Sequence, residues 1–248
     1  PDRWNTSSLR MMISSGAMFT TQVKRDLIEH IPELAIADVL GSTEGGMGQS
    51  IMTKDTPASE TAKFMLLPTS KVLLPDGSRE VTPGSGEVGM VAQSGMVPLG
   101  YYKDPKKSAG TFKEIDGKRY AFPGDMATVA ADGSINLLGR GSNCINTGGE
   151  KVFPEEVEEA LKLHDAVEDA LVFGLDDERF GSRVAGVVSL EKAKSAAAED
   201  IVSATRALLA SYKLPKELIV VPKVPRAPNG KADYKAAQQL LMDSRGAE

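Results

Sequence analysis

The sequence predicts a multidomain chain of α/β and α+β class, with a βαβ portion over residues 1–61, a small antiparallel β subdomain over 62–139 and an α+β domain over 140–248. Three observations support this. Strand-like and helix-like patterns alternate through the first sixty residues, the signature of a parallel βαβ unit. Asp76-Gly77, Asp116-Gly117 and Asp132-Gly133 each lie between apolar or β-branched runs, the strongest short-range hairpin signal. Beyond Gly139-Arg140-Gly141-Ser142, where two glycines flank Arg140 as in a hinge, helix and strand patterns alternate again.

In the first portion, Leu9 to Ile13 is an apolar run ending in Ser14-Ser15-Gly16-Ala17. Thr20 and Thr21 offer N-cap oxygens to a segment with Val23, Leu27, Ile28 and Ile31 at helical spacing, closed by Pro32. Leu34 to Leu40 then reads as a second strand running into the loop Gly41-Ser42-Thr43-Glu44-Gly45-Gly46. Both Gly/Ser-rich loops follow strand C-termini, where ligands bind in open α/β sheets. Met47 and Met52 beyond the loop suit either an apolar pocket or the core. No long helical pattern interrupts the second portion. In the third, Pro154 starts a helix with Glu155 and Glu156 at the positive end of its dipole and Val157, Ala160 and Leu161 as its apolar stripe. Strands near 167–174 and 183–190, a helix near 198–211, a strand near 217–222 and a helix near 232–242 complete the chain.

Composition narrows the function classes. With 41% hydrophobic and 25% charged residues, the chain has ordinary globular usage. A net charge of −5 argues against generic nucleic-acid binding. One cysteine precludes an internal disulfide, and no Cys/His cluster has zinc spacing. The longest apolar runs fall short of a membrane-spanning helix, and no secretory signal opens the chain, so a cytoplasmic, reduced setting without a transmembrane segment is expected. The start at Pro1, without Met and directly before a strand-like stretch, suggests a piece of a longer protein.

Three apparent motifs fail on context. Gly84-Ser85-Gly86-Glu87-Val88-Gly89 fits GxGxxG but precedes a strand-like Met90-Val91-Ala92, whereas dinucleotide binding needs a helix there. Gly230-Lys231 lacks a Walker loop's first glycine, which is Pro225, and its Ser/Thr, which is Ala232. Cys144 reads as a small buried apolar side chain rather than a nucleophile paired with His30 or His164.

Other stretches carry chemistry. Ser42-Thr43-Glu44-Gly45 is by itself either a polar turn or a site that offers two hydroxyls and backbone N–H groups to a phosphate, with Glu44 placed to hold a metal ion bridging phosphate oxygens. Asp125, after Phe122-Pro123-Gly124, is by itself either a turn former or a carboxylate able to accept both hydroxyls of a ribose. These stretches occur in order with Gly86-Glu87-Val88-Gly89, Gly100-Tyr101-Tyr102-Lys103-Asp104-Pro105, Gly139-Arg140, the run Gly148-Gly149-Glu150-Lys151-Val152-Phe153-Pro154-Glu155-Glu156-Val157-Glu158, and Pro225 to Lys231. In that order the chain resembles the adenylate-forming (AMP-binding) superfamily, which contains acyl-CoA synthetases, peptide-synthetase adenylation domains and luciferases. The similarity extends over essentially the whole chain.

The resemblance implies a two-step reaction using ATP, Mg2+ and coenzyme A: a carboxylic acid attacks the α-phosphate of ATP, giving acyl-adenylate and pyrophosphate, and a thiol then displaces AMP. A mobile C-terminal domain rotates between the steps. It implies that Thr43 contacts phosphate, Glu44 associates with magnesium and Lys231 bridges the acyl carboxylate and α-phosphate. Gly41 and Ser42 belong to the nucleotide loop, Gly16 and Ala17 to the adenine-side loop. Asp125 and Arg140 hold the ribose region, and Gly148 and Gly149 line the thiol's tunnel. The resemblance leans toward ligases of fatty or other hydrophobic acids; a carrier-protein-loading adenylation enzyme and a non-catalytic nucleotide-binding module are the alternatives. Three features depart from the family pattern. Leu40 stands where an aromatic residue usually stacks on adenine, and is expected to cover the ring less tightly. Ser142 stands at the hinge position, often Asp or Lys. The Ser/Thr/Gly-rich phosphate loop and much of the acyl pocket would precede residue 1, so the chain corresponds to a C-terminal half, expected to be nearly inactive alone.

Overall fold

β1 (Met11–Ser15), α1 (Thr21–His30) and β2 (Ala35–Ser42) form the expected βαβ unit, with β1 and β2 paired in parallel from Met11–Ala35 to Ser15–Val39. The computed structural model describes residues 4–16, 19–56 and 60–246 and divides between Leu138 and Gly139 into two compact units. Helix α1 starts because the Thr20 hydroxyl accepts the Val23 N–H at 3.3 Å, and it stops at Ile31, whose backbone Pro32 holds away from helical geometry. Its buried face differs from the expected stripe. Val23 is 47% exposed, whereas Lys24 is buried and bonds Asp38 of β2 at 2.7 Å. Asp38 lies between Ile36 and Leu40 on the inward face of β2, so the helix turns its lysine toward that carboxylate.

β3 (Gly45–Met52) folds back antiparallel on β2, and β4 (Lys63–Leu66) pairs with β3. The remaining strands of this unit are β5 (Ser70–Leu73), β6 (Gly89–Ser94), β7 (Phe112–Ile115), β8 (Lys118–Ala121), β9 (Asp125–Val129) and β10 (Ile135–Arg140). The sheet runs β1-β2-β3-β4-β10-β9-β6-β8-β7, with β5 also on β6. The stretch expected as a separate subdomain is antiparallel, and the β3–β4 pairing joins it to the βαβ portion in one unit. Asp116-Gly117 makes a type I′ turn between β7 and β8, with φ of 51° and 71°. Asp132-Gly133 joins β9 to β10, and the Asp132 carboxylate accepts the Ser134 N–H at 3.0 Å. Asp76-Gly77 only returns the chain from β5 to an isolated Leu73–Glu80 bridge. One helix was not expected here: α2 (Pro105–Thr111), capped by Asp104, which accepts the Lys107 N–H at 2.9 Å. Met47 packs with Phe64, Val91 and Ile135, and Met52 with Ile28 and Ile36, so both methionines are core residues.

The second unit contains β11 (Ile145–Thr147), β12 (Glu150–Val152), α3 (Pro154–Lys162), β13 (Val167–Asp177), β14 (Gly181–Leu190), α4 (Ala198–Thr205), β15 (Glu217–Val220) and α5 (Tyr234–Arg245). Its sheet runs β12-β11-β14-β13, with β15 parallel to β14. Strand β13 is buried on both faces. Ala170 and Val172 meet Val157 and Leu161 of α3 and Ile201 of α4, while Leu171, Phe173 and Leu175 meet Ala237 and Leu241 of α5. The helix expected over 198–211 ends at Thr205, followed by a short 3-10 turn at Ser211–Lys213. Among the described residues no helix is long and apolar enough to cross a membrane.

Candidate active site

The stretch expected as a loop at Gly41–Gly46 is a tight hairpin. Gly41 and Ser42 end β2, Ser42 stands opposite Gly45 of β3, and Thr43 and Glu44 fill the two-residue turn. The Glu44 N–H donates to Ser42 Oγ at 3.2 Å. The Glu44 side chain is held from outside the turn, because the Tyr101 hydroxyl donates to its Oε1. Tyr101 is itself fixed: its N–H donates to Ser108 Oγ at 2.8 Å, its ring lies 5.6 Å from that of Phe112, and Lys107 Nζ lies 4.0 Å from its centroid. Gly45, at φ +145°, leaves space that the buried Gln93 amide of β6 fills, so any side chain at Gly45 would strike it. Tyr101 lies in the Gly100–Pro105 stretch, whose pattern assigns it no role, and nothing in the local sequence marks Gln93.

Asp125, 8% exposed, opens β9 directly after Gly124, whose φ of +100° suits glycine. Gly16, at φ +83°, directly follows β1; Ala17 lies outside the described residues. Leu40 corrects the expectation that it covers adenine. Strand alternation points it inward with Ile36 and Asp38, where it packs in the core beside Met47 and Phe64.

The other candidates belong to the second unit. Arg140 is the exposed last residue of β10, a strand whose final two residues fall beyond the boundary at Gly139. Gly148 and Gly149 form the β11–β12 turn with φ of +60° and +90°, a type I′ pair, and the Gly148 N–H donates to the Phe180 carbonyl at 2.9 Å. Lys231 is exposed on a closed loop in which the Ala227 N–H donates to the Lys231 carbonyl at 2.8 Å and the Lys231 N–H to Asn229 Oδ1 at 3.2 Å. The candidate residues therefore fall into two groups: Gly16, Gly41–Glu44 and Asp125 in one unit, Arg140, Gly148, Gly149 and Lys231 in the other. Among the described residues no group of three His, Cys, Asp or Glu side chains is placed to hold a metal ion. Glu44 alone matches the way Mg2+ binds nucleotides, through one or two carboxylates together with phosphate oxygens.

In the second unit, Glu158 of α3 is buried, accepts the Val172 N–H at 2.9 Å and pairs with the Tyr234 hydroxyl at the start of α5. Burial pushes its carboxyl from the usual 4.5 up to about 8. The folded chain therefore keeps this proton where the unfolded chain has lost it, and stability falls as pH rises from about 4.5 to about 8, then levels off. Glu158→Gln keeps an acceptor for Val172 and a donor for Tyr234 without the ionisation. Its thermal midpoint should exceed that of the parent at pH 8 and converge with it near the bottom of this window; an unchanged pH slope from circular-dichroism melts would contradict the assignment.

Residues 156–231 match the AMP-binding enzyme C-terminal domain family. The chain is 44% identical over 238 residues to a 3-oxocholest-4-en-26-oate–CoA ligase of Rhodococcus rhodochrous, covering 95% of this chain and 42% of that protein. It is 44% identical to a medium/long-chain-fatty-acid–CoA/3-oxocholest-4-en-26-oate–CoA ligase of Mycolicibacterium smegmatis, covering 97% of this chain and 44% of the relative. It thus spans less than half the length of these curated relatives. Among solved structures, ATP-bound MatB from Rhodopseudomonas palustris superposes with a TM-score of 0.77 at 25% identity, over 94% of this chain and 45% of that one. The anthranilate CoA ligase AuaEII in complex with anthranoyl-AMP shares the fold, with a TM-score of 0.79 at 24% identity over 96% of this chain and 45% of that one. Residues 156–231 thus carry the AMP-binding enzyme C-terminal domain match, and the chain as a whole is similar to the C-terminal portion of acyl-CoA ligases.

Proposed function

We propose that the intact protein is an AMP-forming acyl-CoA ligase that activates a fatty or other hydrophobic carboxylic acid with ATP and passes it to coenzyme A. The observation that carries this reading is the division of the candidate groups: Glu44 and Asp125 in one compact unit, Lys231 in the other. Such a division suits a reaction whose two steps need different neighbours around one bound nucleotide. The 44% identity to ligases named for medium- and long-chain fatty acids and a sterol-derived acid supports the hydrophobic substrate class. A cytoplasmic setting, where ATP and coenzyme A are at hand, accords with it.

In this reading the Thr43 hydroxyl and the hairpin's backbone N–H groups hold phosphate oxygens, Gly41 and Ser42 flank the nucleotide, and Gly16 and Ala17 let the backbone approach adenine. Asp125 accepts both ribose hydroxyls, and Arg140 contacts the same region. Glu44, steadied by Tyr101, is the carboxylate for Mg2+, which when bound would neutralise charge on the phosphates. The substrate carboxylate oxygen bonds to the α-phosphorus as the bond to pyrophosphate breaks, and the Lys231 ammonium stabilises the charge that develops. The thiol of coenzyme A, passing Gly148 and Gly149, then bonds to the acyl carbon, and AMP leaves.

The intact protein, supplied with ATP, Mg2+, coenzyme A and a panel of medium-chain, long-chain and sterol-side-chain acids, should release AMP and acyl-CoA in equal amounts. Release of ADP would contradict the proposal, and AMP release only with an acyl-carrier protein in place of coenzyme A would favour a carrier-loading enzyme. The 248-residue chain alone is expected to give little or no turnover.

A further inference from the structure

We propose that Arg226, held by Asp169, is the positioning residue that aims Lys231; this rests on the reading of Lys231 given above. Among the described residues no side-chain hydrogen bond or ion pair engages the Lys231 ammonium, so its aim depends on the loop that carries it. That loop is closed by a bridge between Arg226 and Ala232 and turns at Gly230, at φ +80°. One guanidinium spans it. Arg226 Nε donates to Asp169 Oδ2 at 2.6 Å and Nη2 to Asp169 Oδ1 at 2.7 Å, a two-point fork, while Nη1 donates to the Gly230 carbonyl at 3.2 Å. The carbonyl it grips belongs to the residue immediately before Lys231.

The other end of the fork is anchored. Asp169 follows a break in the β13–β14 register between Val167 and Asp169, the kind of bulge that re-aims a side chain. Its Oδ1 also accepts the Ala170 N–H at 2.9 Å, and Ala170 is fully buried in the sheet core. The far side of the loop is tied down as well: the Asp233 N–H donates to the Pro225 carbonyl at 3.2 Å, and Asp233 caps α5 by accepting the Ala236 N–H at 3.1 Å. The loop is thus fixed at its stem, and Arg226 links the sheet to the peptide before Lys231. A lysine at 226 keeps the charge but cannot reproduce the planar fork.

The test uses the intact protein, with Arg226→Lys, Asp169→Asn and Lys231→Ala assayed separately for adenylate formation and for thioester formation from supplied acyl-adenylate. Displacing a reacting group by about an ångström typically costs on the order of 100-fold. Arg226→Lys and Asp169→Asn should lower kcat for adenylate formation by about 10- to 100-fold, with the KM for ATP within about twofold and thioester formation nearly unchanged. A full adenylation rate in Arg226→Lys, or equal losses in both half-reactions accompanied by a lowered melting temperature, would overturn the proposal. If Lys231→Ala also kept its adenylation rate, the reading of Lys231 itself would fail. If only Lys231→Ala lost it, that reading would stand and the positioning role would be excluded.

Discussion

Replacing Lys231 with Ala in the intact protein should lower adenylate formation by about 10²–10³-fold, while thioester formation from supplied acyl-adenylate largely survives. In the proposed reaction the ammonium would offer charge where the α-phosphorus gains electron density as the substrate oxygen attacks, and a preorganised donor acts most strongly there. In the proposed second half-reaction the acyl–phosphate bond breaks under thiol attack, and that step would call on the Gly148-Gly149 side of the same unit instead. The structure is compatible with this selectivity, because Lys231 sits on an exposed loop and not in the unit's core. Separate half-reaction assays check it. Equal losses in both halves would mean that the lysine supports the fold or the nucleotide generally.

The second large effect is on stability. Asp38→Ala should destabilise the chain by about 3–5 kcal/mol in urea denaturation, because it leaves the Lys24 ammonium buried without its partner. The pair lies 2.7 Å apart with side chains 2% and 6% exposed, and Lys24 lies 5.4 Å from the centroid of the Phe19 ring. Little water can reach the orphaned charge. Removing both charges together, in Lys24→Met with Asp38→Leu, should recover most of the loss, since buried pairs replaced by apolar groups of similar size are often neutral. Lys54 and Glu33 form a comparable contact at 2.8 Å but with side chains 49% and 64% exposed, and Glu33→Ala should change stability by less than about 1 kcal/mol. An Asp38→Ala chain as stable as its parent would show that the cavity admits enough water to solvate Lys24.

Much of this was legible in the sequence where a pattern has one physical meaning. The βαβ opening followed from apolar spacing and the Thr20 cap, the β7–β8 hairpin from Asp116-Gly117, and α3 from Pro154 with its two glutamates. Other features were not legible for equally physical reasons. A lysine at a helical position ordinarily reads as solvent-facing, so the burial of Lys24 waited on knowing that β2 carries Asp38 inward. Helix α2 has the sequence Pro-Lys-Lys-Ser-Ala-Gly-Thr, with no apolar stripe, and is recognisable only from its Asp104-Pro105 start. At the candidate site, residue order brought out the Thr43-Glu44 turn, Asp125 and Lys231. The supports behind them, Tyr101 at Glu44, Gln93 at Gly45 and Arg226 below Lys231, are contacts between residues distant in sequence or set by a loop's shape. Leu40 shows the converse, since a position judged by its place in a motif was decided by strand alternation.

The central claim is that the substrate's carboxylate attacks the α-phosphorus of ATP. Incubating the intact protein with an 18O-labelled carboxylic acid, ATP, Mg2+ and coenzyme A, and then weighing the released AMP by mass spectrometry, tests this most directly. The account predicts a single labelled oxygen in the phosphate of AMP for each acyl-CoA formed. Unlabelled AMP, or label appearing instead in inorganic phosphate alongside ADP, would contradict it.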